Sequence, residues 1–216
     1  MTKGLIINKP IGIFGGTFDP IHQGHLACAR YVLEHCQLAS LRLMPCHLPP
    51  HRATPGVSSV QRSAMVKLAI ANEPKMQLEP LELNRQAPSY TVDSLRQLKQ
   101  QLPDQPLAFI IGMDSLLYFK QWHQWQQILT LAHLIVCRRP GYAAEQGDAP
   151  ALIQDYGGSL DQLTTQDAGV ILLLDNPDFA ESATFVRQQL PLNAEVQAML
   201  TPAVLQYIRQ QRLYGC

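Results

Sequence analysis

Ile11-Gly12-Ile13-Phe14-Gly15-Gly16-Thr17-Phe18-Asp19-Pro20-Ile21-His22-Gln23-Gly24-His25 is the most informative stretch of this chain. An apolar run of strand formers enters a glycine pair, then a turn, then two histidines three apart. Gly15 and Gly16 remove side chains where a ligand backbone or phosphate would come close. Asp19-Pro20 reads as a helix start, a capping carboxylate followed by a first-turn proline. His22 and His25 then share one face of that turn, because positions three apart are helical neighbours. The amides of a helix start attract anions. Two imidazoles on the same turn extend that into a site for phosphate groups.

The rest of the chain supplies an alternating pattern. Strand-like runs are expected in the second half of Leu5–Phe14 and over 41–45, 107–111, 131–137 and 170–174, with a further candidate at 76–82. Helices are expected over 21–35, 60–72, 91–101 and 115–119 and from Trp125, with two more near 194–200 and 202–213. Within 60–72, Val60, Ala64, Met65, Leu68 and Ala69 form the expected apolar face. Strands alternating with helices predict an α/β fold, Rossmann-like and doubly wound, with a mostly parallel sheet and helices on both faces. Residues 1–216 are read as a single domain with a helical C-terminal part at about 180–216. Residues 141–169 carry no strong pattern and read as an elaboration or mobile segment.

Bulk composition narrows the function. Of 216 residues, 46% are hydrophobic, enough for a proper core, and only 16% are charged. The formal net charge is zero, so no global basic field draws in nucleic acid. A local anion site on a neutral chain points to a small phosphorylated ligand. No run approaches the ~18 apolar residues of a membrane span, and no signal peptide is read. Five cysteines in odd number without a CxxC pair suit a reducing cytoplasm.

Further groups fall near predicted strand ends or helix starts. His47-Leu48-Pro49-Pro50-His51-Arg52 is a proline-stiffened loop with cationic groups, and Arg52 has the fork geometry to grip a phosphate. Ser89 or Thr91 is a plausible cap for the helix at 91–101. Gly112-Met113-Asp114 follows a strand, where an acidic side chain accepts from ribose hydroxyls or caps a helix. Trp122 and Trp125 are three apart beside Tyr118 and Phe119, a spacing that is usually core. Arg138-Arg139 ends a strand and either borders a nucleotide site or covers surface. Ser182-Ala183-Thr184-Phe185-Val186-Arg187 places hydroxyls and a guanidinium around one helix start.

His22-Gln23-Gly24-His25 resembles the HxGH motif of the nucleotidyltransferase superfamily. The longer Gly-Gly-Thr-Phe-Asp-Pro-Ile-His-Gln-Gly-His string resembles its nicotinate-mononucleotide adenylyltransferase (deamido-NAD pyrophosphorylase) branch. Ser182 to Arg187 resembles that family's SxTxxR motif, and the likeness runs from about Gly12 to Tyr214. The resemblance implies adenylyl transfer from ATP to nicotinate mononucleotide, giving deamido-NAD and diphosphate in NAD biosynthesis. It implies catalytic roles for His22, His25 and Arg187. It implies ATP contacts from Gly15, Gly16, Thr17, Phe18, His22, His25, Gly112, Asp114, Ser182, Thr184 and Arg187. Nicotinate mononucleotide would meet Thr17, His51, Arg52, Tyr90, Thr91, Asp114, Trp122 and Arg139, with Trp122 as the plate under the pyridine ring. Mg²⁺ would ride on the triphosphate. The partners are these two substrates, with no nucleic acid or membrane, and a monomer or homodimer is expected. The family often has asparagine where Cys46 or His47 stands. The alternatives are a related adenylyltransferase acting on nicotinamide mononucleotide or another phosphorylated acceptor, a zinc hydrolase built on His22, His25, His47 and His51, and a non-catalytic nucleotide sensor.

Overall fold

The computed structural model describes residues 8–47, 57–85, 89–179, 182–190 and 194–216. Its strands are β1 (Ile11–Gly16), β2 (Ser40–Pro45), β3 (Met76–Leu78), β4 (Leu107–Gly112), β5 (His133–Cys137) and β6 (Ile171–Leu174). They form one parallel sheet in the order β3-β2-β1-β4-β5-β6. The expected doubly wound α/β fold is what the chain adopts. The strand order reverses direction between β1 and β4. In such sheets the crevice beyond the carboxyl ends at that point is the natural ligand site.

Strand alternation builds two cores. Ala108, Ile110, Ile135 and Cys137 face one side, while Leu107, Phe109, Ile111, Leu134 and Val136 face the other. The first core is covered by α1 (Gln23–His35), α2 (Ser59–Ala69) and the C-terminal helix Pro202–Gln210. The second is covered by α3 (Thr91–Gln101), α4 (Met113–Leu116), α5 (Trp125–Leu131) and α6 (Ala149–Tyr156). Both faces of the sheet are therefore dry, which explains the near-continuous apolar strands.

Some expected details differ, among them the helix read over 115–119, which is α4 at Met113–Leu116 followed by a 3-10 turn at Phe119–Gln121. In α2 the buried face is Arg62, Ser63, Met65, Val66 and Ala69, whereas Val60 is 75% exposed and Leu68 lies outside. The helix starts earlier than its apolar pattern suggests, at a Ser58–Gln61 capping box, and buries a cation instead of Val60. Residues 141–169 contain α6 and α7 (Gln162–Thr165), with Leu152 and Leu163 fully buried. Burying each leucine is worth about 1.5–3 kcal/mol, so this elaboration is packed onto the body.

After β6 come α8 (Ala183–Gln189), α9 (Ala194–Gln197) and α10 (Pro202–Gln210), the helical C-terminal part. Thr201 caps α10 through its hydroxyl, with Pro202 at the first helical position. No helix among the described residues is long and apolar enough to cross a membrane.

Candidate active site

The glycine pair ends β1 for a reason internal to the protein. A Cβ on Gly15 would stand 2.9 Å from the Phe109 ring, and one on Gly16 would stand 2.9 Å from the Phe18 ring. The space the glycines leave is thus taken by aromatic rings rather than reserved for a ligand alone. Phe18 is 1% exposed and sits at φ +48°, an uncommon conformation for a bulky residue. Its ring packs edge-on to His25 at 5.1 Å and to Phe14 at 5.7 Å. It forms the floor under the histidine, and its side chain is not a surface that a ligand reaches.

Asp19 does not cap α1. The Asp19–Pro20 bond is cis, and the helix begins later, at Gln23, with His22 as its cap residue. Asp19 is instead buried and accepts a 2.6 Å hydrogen bond from the Tyr214 hydroxyl. The first helical amide, Gln23 N–H, donates to the Met199 carbonyl at 2.7 Å. The C-terminal part therefore closes under the histidine turn through two separate bonds.

His22 and His25 share one face as expected, their ring centroids 3.7 Å apart. The His22 backbone N–H donates to Nδ1 of His25 at 3.3 Å. In the neutral ring this leaves the His25 proton on Nε2. Burial pushes His22 down to about 4, and the nearby Arg139 charge adds to this. Burial likewise holds His25 well below the usual imidazole range, with His22 and Arg139 contributing. Both rings are neutral hydrogen-bonding groups at pH 7. His22 Nδ1 is buried with no hydrogen-bond partner among the described residues, an orphan that a ligand can satisfy.

The second motif lies against the first. Ser182 caps α8, its hydroxyl oxygen accepting from Phe185 N–H at 3.1 Å. Arg187 donates to the Asp19 carbonyl at 2.6 Å and to Thr184 Oγ1 at 3.1 Å. Its guanidinium also lies 3.8 Å from the Asp19 carboxylate. Residues separated by more than 160 positions thus meet three residues before His22.

Gly112 at the end of β4 is the cap residue of α4, and Asp114 lies in its first turn. Asp114 pairs with Arg139 at 2.9 Å, while its other oxygen, Oδ1, is buried without a partner among the described residues. Arg138 turns away, paired with Asp175 and Asp178 at 3.0 and 3.2 Å. The two adjacent arginines thus have different partners, and the one that meets Asp114 is Arg139, the arginine that the resemblance implies for the acceptor side. Both side chains are half exposed, but the Arg139 charge lies near His22 and His25, whereas Arg138 is held by the two aspartates.

Trp122 ends a short 3-10 turn at Phe119–Gln121 in extended backbone, so it and Trp125 do not share one helix. It packs 5.3 Å from Phe119 and 6.3 Å from Phe109, the ring that also limits Gly15. Trp125 packs on Phe119 and Tyr156. Tyr90 is the cap residue of α3, with Thr91 first in the helix, and the Tyr90 ring lies 4.6 Å from His123. Ser89 is not the cap. It is buried and accepts from His47 N–H at 3.3 Å. Thr17 has its hydroxyl 3.8 Å from Cys46 Sγ. His51 and Arg52 lie outside the described residues.

Sequence reasoning missed three groups: Arg62, whose guanidinium reaches the Thr17 carbonyl, Tyr214, and Asp19 in its actual role. For Arg62 the signal was available, since it falls on one helical face with Met65, Val66 and Ala69. For Tyr214 no local pattern points across 195 residues to Asp19. Among the described residues, no three of His, Cys, Asp or Glu come together as a metal-binding group.

Comparison with known proteins shows the family and the fold to which the chain is similar. The cytidylyltransferase-like family profile matches residues 13–189. The chain is 47% identical to the probable nicotinate-nucleotide adenylyltransferase of Aeromonas hydrophila, covering 97% of this chain and 99% of that one. It is 44% identical to the probable nicotinate-nucleotide adenylyltransferase of Cronobacter sakazakii, covering 93% and 94%. Among solved structures it is similar to Plasmodium falciparum nicotinic acid mononucleotide adenylyltransferase complexed with NaAD, with a TM-score of 0.72 at 18% identity, covering 96% of this chain and 98% of that one. At that identity the likeness concerns the fold.

Proposed function

Because the chain belongs to the nicotinate-nucleotide adenylyltransferases of the cytidylyltransferase-like family, we infer that the crevice between β1 and β4 is where ATP and nicotinate mononucleotide react. The reaction is ATP + nicotinate mononucleotide → deamido-NAD + diphosphate. The observation that carries the site assignment is the Arg187–Asp19 contact, which brings the SxTxxR helix against the HxGH turn.

The chemistry asks little of the protein in acid–base terms. A phosphate monoester has a second pKa of about 6, so the acceptor is mostly dianionic at pH 7 and attacks without a base. It displaces diphosphate from the α-phosphorus in line, and no covalent enzyme intermediate is required. The obstacle is bringing two anions together, which calls for donors, charge and alignment.

His22 and His25, being neutral, serve as hydrogen-bond donors at the α-phosphate. A neutral donor fixed in a buried site stabilises developing charge without first having to be protonated. Arg187, with Ser182 and Thr184, holds the β and γ groups and the departing diphosphate. Gly112 and Asp114 serve the nucleotide side, the carboxylate accepting from ribose hydroxyls; the support is an Asp114 Oδ1 without a partner among the described residues. Arg139, Thr17, Tyr90, Thr91, His51 and Arg52 serve the acceptor side, and Trp122 stacks on its pyridine ring. ATP enters as its Mg²⁺ complex, the ion held by phosphate oxygens and water.

Diphosphate release by the purified protein, assayed with nicotinate and with nicotinamide mononucleotide separately, tests this reading. Faster turnover of the nicotinate form is expected. No release with that acceptor, or a preference for the amide, overturns it.

A further inference from the structure

Arg62 is 1% exposed, yet among the described residues no carboxylate lies within ion-pair distance of it. Its fork is spent on two backbone carbonyls from different segments. One terminal nitrogen donates to the Thr17 carbonyl, and the other donates to the Cys46 carbonyl at 2.7 Å. Burying a guanidinium without a carboxylate partner, its Nε left with no hydrogen-bond acceptor among the described residues, is costly, so an apolar side chain would serve α2 better if packing were the only demand.

The placement explains the cost. The Thr17 carbonyl belongs to the peptide that enters Phe18, the residue at φ +48°. Fixing that peptide plane fixes the Phe18 ring, and that ring supports His25 at 5.1 Å. The Cys46 carbonyl belongs to the peptide that enters His47. That residue is also held by its N–H to Ser89 Oγ and by its Nδ1 3.0 Å from Ser59 Oγ. Cys46 N–H in turn donates to the Gly16 carbonyl at 3.0 Å. One guanidinium therefore ties the loop after β1 to the chain leaving β2.

We infer that Arg62 is a positioning residue for adenylyl transfer, aligning the histidine turn with the chain leaving β2 through its two carbonyl bonds. This rests on the function proposed above. It acts through Thr17 and Phe18 and touches neither substrate. Lysine keeps the charge but replaces the planar two-pronged fork by a single nitrogen, so the two carbonyls lose their separate, rigidly spaced donors.

The test compares wild type with Arg62→Lys. Circular dichroism and thermal melting report folding, and the histidine ring resonances report the site by NMR. Arg62→Lys is expected to stay folded, to move the His22 and His25 resonances while His133 stays put, and to lower kcat by about tenfold or more. A kcat within about twofold of wild type overturns the assignment, and so does a displacement of all three histidines together, which marks general loosening. Should the lysine variant not fold, Arg62→Gln is read in the same way. A wild type that releases no diphosphate sinks the proposed reaction, while the resonance comparison still judges Arg62.

Discussion

Arg187 donates a 2.6 Å hydrogen bond to the backbone carbonyl of Asp19, across 168 positions of sequence. This one bond sets the SxTxxR helix beside the turn that carries His22 and His25. Its consequence is that a guanidinium and two neutral imidazoles are held within a few residues of one another, the arrangement on which the proposed reaction depends.

On the proposed assignment, replacing His22 by alanine removes a donor from the α-phosphate but leaves the contacts of α8 in place. The expected result is a fall in kcat of two orders of magnitude or more, as for the loss of an oxyanion-type donor, with ATP still bound. Steady-state kinetics paired with an ATP titration measure both. A near-normal kcat removes His22 from the chemistry.

Tyr214→Phe deletes the hydroxyl that donates to Asp19 at 2.6 Å. A hydrogen bond to a carboxylate is worth about 1.5–3 kcal/mol, and the buried acceptor is left short of a donor. A denaturant titration is expected to show that loss of stability. Turnover at saturating substrate falls far less than in the His22 variant, because Arg187 still holds the Asp19 carbonyl.

The buried histidines make stability fall on acidification. His22 sits at about 4 in the folded protein, and His25 and His133 are also lowered, each first by burial. In the unfolded chain all three return to about 6.5, so between those values the unfolded state binds more protons. Unfolding free energy therefore rises with pH across that window and is lost as pH drops from about 6.5 towards 4. The slope is at most about 1.4 kcal/mol per pH unit per histidine. Melting midpoints measured across this range should flatten in His22→Asn. An unchanged pH dependence in that variant contradicts the assigned burial effect.

Trp122 is half-buried against Phe119 and Phe109, and the proposed reading stacks the pyridine ring on it. Trp122→Ala is expected to raise KM for nicotinate mononucleotide by about tenfold or more, given 0.5–1.5 kcal/mol for the stacked pair plus lost apolar contact. KM for ATP moves little. Equal effects on both substrates would mean that the tryptophan serves the scaffold.

Local pattern carried most of the architecture. Helix 91–101 and the strands at 41–45, 107–111 and 170–174 follow directly from periodicity, and the resulting alternation specifies the parallel sheet. What failed was local chemistry overridden by distant partners. Asp19-Pro20 has the composition of a helix start, but Tyr214 and Arg187 claim Asp19 from the C-terminal part. Ser89 looks like a cap until His47 reaches it from the end of β2. Val60 and Leu68 fit an apolar stripe, yet α2 turns Arg62 inward because two carbonyls wait for it. The glycine pair was found for a sound reason that proved incomplete, since its neighbours are Phe109 and Phe18.

In the proposed reaction both helix starts hold one polyphosphate. A crystal structure with a non-hydrolysable ATP analogue tests it most directly. α-Phosphate oxygens are expected within about 3 Å of His22 and His25, and terminal phosphate oxygens at a similar distance from Arg187 and the Ser182–Thr184 turn. A triphosphate seated elsewhere, or touching only one of the two helix starts, would contradict it.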